Sequence, residues 1–334
     1  MEGSKTRMQG QERLSNTGPS ANAPQVYAGA DVCKDWLDVY LHPVGRRLRL
    51  ANSPSGLKQL KRELAGFRPV LVVMEATGKY HRLAQRSLHA SGFAVAVVNP
   101  SRPRFFAGAL GFQAKTDTID ARMLALYGEA INPRVTPPCP QNLEDLQELV
   151  AARAAAVADR IALGNQLGAA RTAFLRAELS RRIKMADTYI KRLEREINRM
   201  IADDPVLLRR REIIQSIPGV GPVAAIAMAV GLAEMGSCPN KKIALLAGLA
   251  PIADDSGDSS SPRHIKGGRG QVRTAIYMAA VAAARCNSDF KLLYHRLIAA
   301  GKKPKVALTA IMRKLVVLAN TLITENRIWT PARP

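Results

Sequence analysis

The first third of the chain alternates between short apolar runs and segments whose apolar residues recur every three or four positions. The runs lie near residues 26–41, 47–50, 70–74 and 93–98, and helical spacing follows the last three of them. Continuous apolar runs of five or six residues are typical of strands buried on both faces of a sheet, whereas recurrence at i, i+3 and i+4 indicates a helix. The order strand, strand, helix, strand, helix, strand, helix predicts an α/β domain with a mixed sheet.

The helix that closes this domain carries two acidic residues in its first turn. Asp117 and Asp120 are three residues apart and share one face of the helix, while Ile119, Met123 and Leu126 form its apolar stripe. Taken alone, the pair is most simply an N-cap and its dipole partner, because the start of a helix favours anions.

Two further carboxylates favour a metal site over a simple cap. Asp31 lies on the first strand, and Glu75 ends a buried apolar strand, where an uncompensated charge is costly. The order of the elements is one that would bring these two acids to the helix pair Asp117 and Asp120. Four carboxylates in a basic protein therefore predict a divalent-metal site.

Asp35 and Asp38 compete with Asp31 for the place on the first strand. We expect residues 31–41 to run as one strand that pairs with residues 47–50, so a period of two places Asp35 on the same face as Asp31. Asp31 is preferred because it alone directly follows the small residues Ala-Gly-Ala.

Composition points to a nucleic-acid partner. The 334 residues are 47% hydrophobic, which allows two domains of ordinary size, and 49 Lys and Arg against 27 Asp and Glu give a net charge of +22. No run of about 18 apolar residues and no signal-type N-terminus is seen, so we expect a cytoplasmic protein without a membrane partner. The four cysteines lack the spacing of a zinc site or a disulfide scaffold.

The composition divides the chain into four predicted parts. Residues 1–25 are rich in Gly, Ser, Asn, Gln and Pro and are expected to be a disordered leader, and residues 26–135 form the α/β domain. Residues 140–212 shift to Ala, Leu, Arg and Glu with helical spacing, which predicts a helical hairpin or coiled coil. Its apolar seam favours dimerisation, although a solvated helical spacer would show the same pattern. Residues 213–325 form a second, mainly helical domain.

The second domain opens with a glycine-containing turn between two apolar helical segments. The turn includes Pro218, Gly219 and Gly221, and two glycines let backbone N–H groups approach a phosphate closely, as in a helix-hairpin-helix element. A plain helix–helix turn is the alternative. The 122 residues from Ile213 carry 16 Lys and Arg against 6 Asp and Glu, an excess that favours a DNA-binding surface.

A polar loop at residues 252–264 is too long for a tight turn, so it is either a linker or a site. Serine beside glycine is usually turn chemistry, and the loop alone does not identify a nucleophile. The basic residues at its end are the candidate phosphate contacts: Arg263, Lys266, Arg269 and Arg273.

Several motifs resemble the DEDD transposases of bacterial insertion sequences, in the family numbered one hundred and ten that is related to the pilin-gene invertase. The motifs are Gly29-Ala-Asp31, Met74-Glu-Ala-Thr-Gly78, Lys115-Thr-Asp-Thr-Ile-Asp-Ala121, Leu249-Ala-Pro251 and Ser256-Gly257. The resemblance implies a ribonuclease-H-like fold of the RuvC type for the first domain. It also implies that Asp31, Glu75, Asp117 and Asp120 bind Mg²⁺, a hard cation that takes oxygen ligands.

The resemblance further implies that the second domain is a transposase domain in which Ser256 attacks DNA. Ser259, Ser260 and Ser261 are set aside because only Ser256 precedes a glycine in the matching position. The family also implies self-association through the helical middle segment, as a dimer that forms a tetramer on DNA, and a bridge RNA that selects donor and target DNA.

Two classes of function remain after this resemblance. One is a transposase that cuts and rejoins DNA, and the other is a RuvC-like structure-specific nuclease or a non-catalytic DNA-binding protein. A nuclease needs only metal and water, whereas a recombinase must conserve the energy of the phosphodiester bond. A serine–phosphate ester does so, and the basic residues beside the serine loop favour the transposase.

Overall fold

The computed structural model divides the chain into two compact units, residues 1–138 and 139–334. For residues 117–119 it describes the backbone alone. The described residues are 24–76, 78–111, 117–252 and 263–331. The predicted leader, apart from its last two residues, and the central part of the serine loop lie outside these ranges.

The first unit is built on a mixed sheet, as the alternation of patterns predicts. Its strands in the described chain are β1 (Tyr27–Val32), β2 (Trp36–His42), β3 (Arg46–Ala51), β4 (Leu71–Glu75) and β5 (Val95–Val98). They lie in the order β3-β2-β1-β4-β5, with β1 parallel to β4, β4 parallel to β5, and the β1-β2 and β2-β3 pairs antiparallel. The helices are α1 (Pro54–Phe67), α2 (His81–His89), α3 (Ser101–Ala109) and α4 (Asp117–Ile131).

The two faces of the sheet pack against different helices. Alternate residues of β1 and β2, such as Ala30 and Val39, pack with Leu60 of α1 and Leu88 of α2 in one core. The other face packs its own core with α4, and its members include Tyr27, Val73, Leu124 and Tyr127. The side chains of a strand alternate between these faces, so each strand position has a defined side.

The expectation of one long strand from residue 31 to residue 41 is wrong. The chain reverses at residues 33–35, where the Cys33 N–H donates to the Trp36 carbonyl at 3.0 Å, and β1 and β2 form a hairpin. Asp31 therefore lies opposite Asp38, whereas Asp35 lies in the exposed turn. Residues opposite each other in an antiparallel pair share a face, so Asp38, and not Asp35, lies on the side of Asp31.

Helix α4 lies directly on β1 with no side chain between the two backbones at Gly29. A Cβ atom at this glycine would stand 2.1 Å from the Ala121 carbonyl oxygen and 2.4 Å from the Ala125 nitrogen. Further along the helix, a Cβ at Gly128 would meet Val73 at 2.9 Å. The face that packs on the sheet is thus the set of small residues and Leu124 at spacings of three and four, and the predicted stripe through Leu126 is displaced from it.

The second unit is helical apart from a short ribbon. Its helices are α5 (Gln141–Ala169), α6 (Ala173–Ala202), α7 (Pro205–Gln215), α8 (Pro222–Gly231), α9 (Asn240–Leu246), α10 (Gly270–Cys286), α11 (Ser288–Ala299) and α12 (Pro304–Thr324). Two residues each form β6 (Pro251–Ile252) and β7 (His264–Ile265). Helices α5 and α6 pack side by side, through Ala156, Ile190 and Leu193 in one cluster and Leu146, Ile197 and Ile201 in another, as the helical spacing of this segment predicts.

In the described chain, α12 alone is long and apolar enough to cross a membrane, judged by length and composition. Half of its most apolar stretch is buried inside the unit. Ile311, Leu315 and Ala319 of this helix pack in the same core as Ile276 and Ala283 of α10. The apolar composition of α12 is therefore explained by the core of the second unit.

Candidate functional site

Asp31 and Glu75 lie side by side at the carboxyl ends of two adjacent parallel strands. The register pairs Ala30 of β1 with Met74 of β4, so the next residue of each strand is one of the two acids. Asp31 is two residues beyond Gly29, which touches α4, and Glu75 is two residues beyond Val73, which also packs against α4. Both half-buried acids therefore lie on the α4 side of the sheet.

Helix α4 brings its first turn to the same edge. Gly128 packs near Tyr27 at the start of β1, and Ala121 packs on Gly29 further along, so the helix runs antiparallel to the strand and its N-terminus lies towards Asp31. His42 Nε2 stands 3.1 Å from a Glu129 carboxylate oxygen and supports the same alignment at the other end. Asp120 is half-buried. Asp117 is the first residue of the helix, and the structure describes only its backbone.

Carboxylate oxygens gathered at one edge fit a divalent cation by their chemistry, since hard cations take oxygen ligands. Among the side chains that the structure describes, no group of three or more His, Cys, Asp or Glu residues could hold a metal ion. The described carboxylates of Asp31, Glu75 and Asp120 are thus suitable donors but do not by themselves surround an ion.

Asp38 is the fifth acid at this edge and has an ion-pair partner. Its carboxylate lies 3.3 Å from the Arg49 guanidinium, and Arg49 is the residue opposite it on β3. Like charges directly opposite each other in a sheet are destabilising, and Asp38 faces Asp31 in this way. Arg49 offsets that repulsion.

Asn52 is a candidate positioning residue that sequence reasoning missed. Its Nδ2 atom donates to the carbonyl of Cys33 at 2.9 Å and to the carbonyl of Tyr80 at 3.2 Å. Its Oδ1 atom is buried and has no hydrogen-bond partner among the described residues. Asn52 therefore ties the turn after Asp31 to the loop after Glu75. An asparagine before Ser-Pro-Ser-Gly has the appearance of an ordinary turn, so the sequence carries no signal for this role.

The two glycines of the α7–α8 turn have different surroundings. Gly219 has φ +97°, and a Cβ atom there would lie 2.5 Å from the backbone of Ala283 in α10, so packing inside the unit requires this glycine. Gly221 has no atom within 4 Å of the position of a Cβ, and it precedes α8 without a side-chain cap. Pro218 is half-buried, whereas Gly221 is exposed. Gly221 thus leaves open space at the start of a helix.

Ser256 lies outside the described residues, but both ends of its loop are held. Pro251 pairs with Ile265 and Ile252 pairs with His264, which joins β6 to β7. Arg273 donates to the Gly267 carbonyl at 2.7 Å. These contacts fix the two points from which the loop leaves the second unit.

The four basic candidates fall into two groups. Arg263 and Lys266 are exposed, whereas Arg273 holds the loop base and Arg269 has internal partners. Arg269 donates to both carboxylate oxygens of Glu234 at 2.6 Å and to the Gly231 carbonyl at 2.7 Å. Burial alone would raise the pKa of Glu234, but the hydrogen bonds and charge of Arg269 and the charge of Lys242 bring that pKa below its ordinary value.

Comparison with known proteins gives two matches to transposase families. A transposase model for the DEDD proteins of the IS110 group matches residues 28–174, and the model "Transposase IS116/IS110/IS902 family" matches residues 211–295. The pilin gene-inverting protein of Moraxella bovis is 27% identical over 313 residues, which cover 91% of this chain and 97% of that protein. A protein of the IS116 insertion element of Streptomyces clavuligerus is 28% identical over 169 residues, which cover 50% of this chain and 41% of that protein.

Proposed function

Because the chain belongs to the IS110 family of transposases and is a DNA-recombining enzyme, we propose that it cuts and rejoins DNA with a metal site and a serine nucleophile. The metal, Mg²⁺, is assigned to the acid cluster and the nucleophile to Ser256. The acid cluster comprises Asp31, Glu75, Asp117 and Asp120.

The adjacent positions of Asp31 and Glu75 at one edge of the sheet, with the start of α4 directed towards them, are the observation that supports this proposal. Asp31 and Glu75 follow paired residues of parallel strands, and the contact of Ala121 with Gly29 directs the first turn of α4 towards them. A bound divalent cation would stabilise charge on phosphoryl oxygens. The carboxylates would hold and orient that ion, and Asn52 would hold in place the loops that follow two of them.

Ser256 would conserve the energy of the broken phosphodiester. Its hydroxyl oxygen forms a bond to phosphorus, the bond from phosphorus to one DNA end breaks, and the serine proton is transferred to the departing oxygen. The resulting serine–phosphate ester is later attacked by the hydroxyl of another DNA end, which restores the serine. The exposed cations Arg263 and Lys266 at the end of the loop support a phosphate near it.

DNA binding by the second unit is supported by the open space at Gly221. Backbone N–H groups at the start of α8 have no side-chain cap there, and a phosphate suits such a helix start. Arg263 and Lys266 add positive charge, whereas we assign Arg269 and Arg273 to holding the fold around the loop, because their guanidinium groups bond within the unit.

Self-association through α5 and α6 is supported by large apolar side chains that remain exposed on the hairpin. Phe174 is 78% exposed and Met185 66% exposed, and Ile161 and Tyr189 are also exposed. A second copy of the hairpin is the partner that we assign to cover these side chains. From the family resemblance we also propose a tetramer on DNA, guidance by a bridge RNA and a cytoplasmic location. The net charge of +22 supports a nucleic-acid partner.

Replacement of single acids tests the metal site. Asp31→Asn, Glu75→Gln, Asp117→Asn and Asp120→Asn should each abolish DNA cleavage and leave the fold intact, measured by strand cleavage and by circular dichroism. Asp35→Asn is the matched control, because it makes the same change in the exposed turn of the hairpin. Normal recombination by any two of the four variants, or equal loss in the control, contradicts the site.

Replacement of the serine tests the nucleophile. Ser256→Ala should bind DNA normally and give no strand exchange, and denatured reactions of the unaltered protein should contain DNA joined to Ser256 through a phosphate. Ser259→Ala, Ser260→Ala and Ser261→Ala should keep the activity. An adduct on one of those three residues would assign the nucleophile to that residue in place of Ser256. Cleavage without any adduct would favour the nuclease.

A further inference from the structure

One face of the β2–β3 hairpin carries two arginines whose guanidinium groups lie over aromatic rings. The guanidinium carbon of Arg47 lies 5.9 Å from the centroid of the Tyr40 ring, and that of Arg49 lies 5.9 Å from the Trp36 ring. The register pairs Tyr40 with Arg47 and Asp38 with Arg49, so all of these side chains share one face. Trp36, Tyr40, Arg47 and Arg49 are named the arginine–aromatic strip.

The fold leaves Trp36, Arg47 and Arg49 exposed, and Tyr40 is half-buried. Helix α4 packs on β1, β2 and β4 on that side, while α1 packs against β3 from the opposite side. Trp36 is 48% exposed and Arg49 58% exposed. Tryptophan is mostly buried in proteins, and an exposed ring beside two guanidinium groups offers both a flat surface and positive charge to a ligand.

The strip is continuous with the acids. Arg49, Asp38, Asp31 and Glu75 occupy neighbouring positions on β3, β2, β1 and β4, since Arg49 pairs with Asp38, Asp38 pairs with Asp31, and Asp31 follows the last pair of β1 with β4. A strand of nucleic acid that reaches the acids can therefore continue across the edge of the sheet over the strip.

We propose that the arginine–aromatic strip binds an unpaired stretch of the DNA strand that is cut, with a base stacked on Trp36 and a phosphate at Arg47. This inference rests on the proposed function of the acid cluster. Stacking needs a base whose face is free, so the ligand is single-stranded, and every base offers such a face, so the contact tolerates any sequence. DNA is assigned because the strip adjoins the acids, which act on DNA.

Arg46 provides a matched control on the same strand. It precedes Arg47, so its side chain lies on the opposite face, where the guanidinium donates to Glu63 at 2.9 Å and lies over Phe67. Arg46→Gln and Arg47→Gln make the same chemical change and remove the same charge. Arg49 is a poorer choice for the test, because it also partners Asp38 beside the acids.

The full chain carrying Asp31→Asn serves as the parent, so that binding is measured without cleavage. Affinity for a fluorescent single-stranded oligodeoxynucleotide is titrated at several salt concentrations. Arg47→Gln should lower the slope of log affinity against log salt by about 0.7, the value for one phosphate contact on a single strand. Arg46→Gln should keep the parent slope. Trp36→Ala should weaken binding about five- to a hundredfold, and Trp36→Phe should retain most of it.

A cross-link identifies the ligand. Oligonucleotides with 5-iododeoxyuridine next to the cleavage position should join to Trp36 or Tyr40 on irradiation, as mass spectrometry of the peptides would show. Equal effects of the Arg46 and Arg47 variants, or cross-links to an iodouridine-labelled RNA in place of DNA, overturn the inference. Cleavage by the unaltered protein and its loss in Asp31→Asn are measured separately, so the proposed function can stand while the strip fails.

Discussion

Gly29 is the point at which α4, the helix that bears Asp117 and Asp120, meets the sheet. Gly29→Ala should move this helix away from the sheet. The added Cβ atom would stand 2.1 Å from the Ala121 carbonyl oxygen, and all three of its nearest neighbours would lie closer than 3.0 Å. Two of these neighbours are backbone atoms of α4, which cannot rotate away as the end of a side chain can. The helix must therefore retreat from β1.

The size of the effect follows from these distances. Relief of the closest contact requires a displacement of about 1 Å, and overpacking of this kind typically destabilises by about 1–3 kcal/mol. The first turn of α4 moves with the helix, so Asp117 and Asp120 shift relative to Asp31 and Glu75. A misplacement of about 1 Å in an active site can lower the rate about 100-fold.

Urea unfolding measures the stability, and the rate of strand cleavage measures the alignment of the acids. Gly66→Ala is the control, because Gly66 is an exposed residue of α1 with no atom within 4 Å of an added Cβ. That substitution should stabilise by about 0.4–1 kcal/mol and leave the cleavage rate unchanged. An unfolding midpoint and a rate for Gly29→Ala equal to those of the unaltered protein would refute the close seating of α4 on β1.

Three further predictions follow from the contacts. Asn52→Ala should reduce the cleavage rate about 10- to 100-fold, because the substitution frees the loops after Asp31 and Glu75. The free energy of unfolding in urea should fall by only about 1–2 kcal/mol. An unchanged cleavage rate would contradict the positioning role of Asn52. Because the pKa of Glu234 is lowered in the folded state, its contribution is present above the ordinary value of 4.5 and is lost as the pH falls below it. Urea midpoints for Glu234→Gln should therefore be lower than those of the unaltered protein at neutral pH, and the difference should shrink in acid; a constant difference would contradict this. Gly221→Ala should keep the unfolding midpoint and weaken binding to duplex DNA, whereas Gly219→Ala should lower the midpoint. Normal DNA affinity of the Gly221→Ala protein would exclude a phosphate at the α7–α8 turn.

The sequence predicts the elements of the first unit better than it predicts the contacts between them. Periods of two and of three to four residues reflect local burial, so the strands at residues 71–75 and 95–98 and the helix from Asp117 are found as expected. The hairpin turn at residues 33–35 is missed because it has neither Gly nor Pro and lies within an alternating pattern. That miss gives Asp35 the position that Asp38 occupies.

The contacts of α4 and Asn52 could not be predicted for a different physical reason. Each depends on atoms brought together from distant parts of the chain, and the pattern of strongly hydrophobic residues gives no signal for either. Small residues such as Ala121, Ala125 and Gly128 are only weakly hydrophobic, so a hydrophobic pattern does not mark them. Their small size is nevertheless what allows the helix to approach the strand. Their role becomes visible when the distances to β1 and β4 are known.

The seating of α4 on Gly29 also has a consequence for protein synthesis. The strands bearing Asp31 and Glu75 leave the ribosome well before the helix bearing Asp117 and Asp120, and that helix must then dock on a strand made much earlier. A chain interrupted after β5 can contain the sheet but lacks Asp117 and Asp120, two of the four carboxylates of the proposed metal site. Under the proposed mechanism such a truncated copy could not break DNA, because the proposed metal site needs the carboxylates of α4 as well as those of the strands.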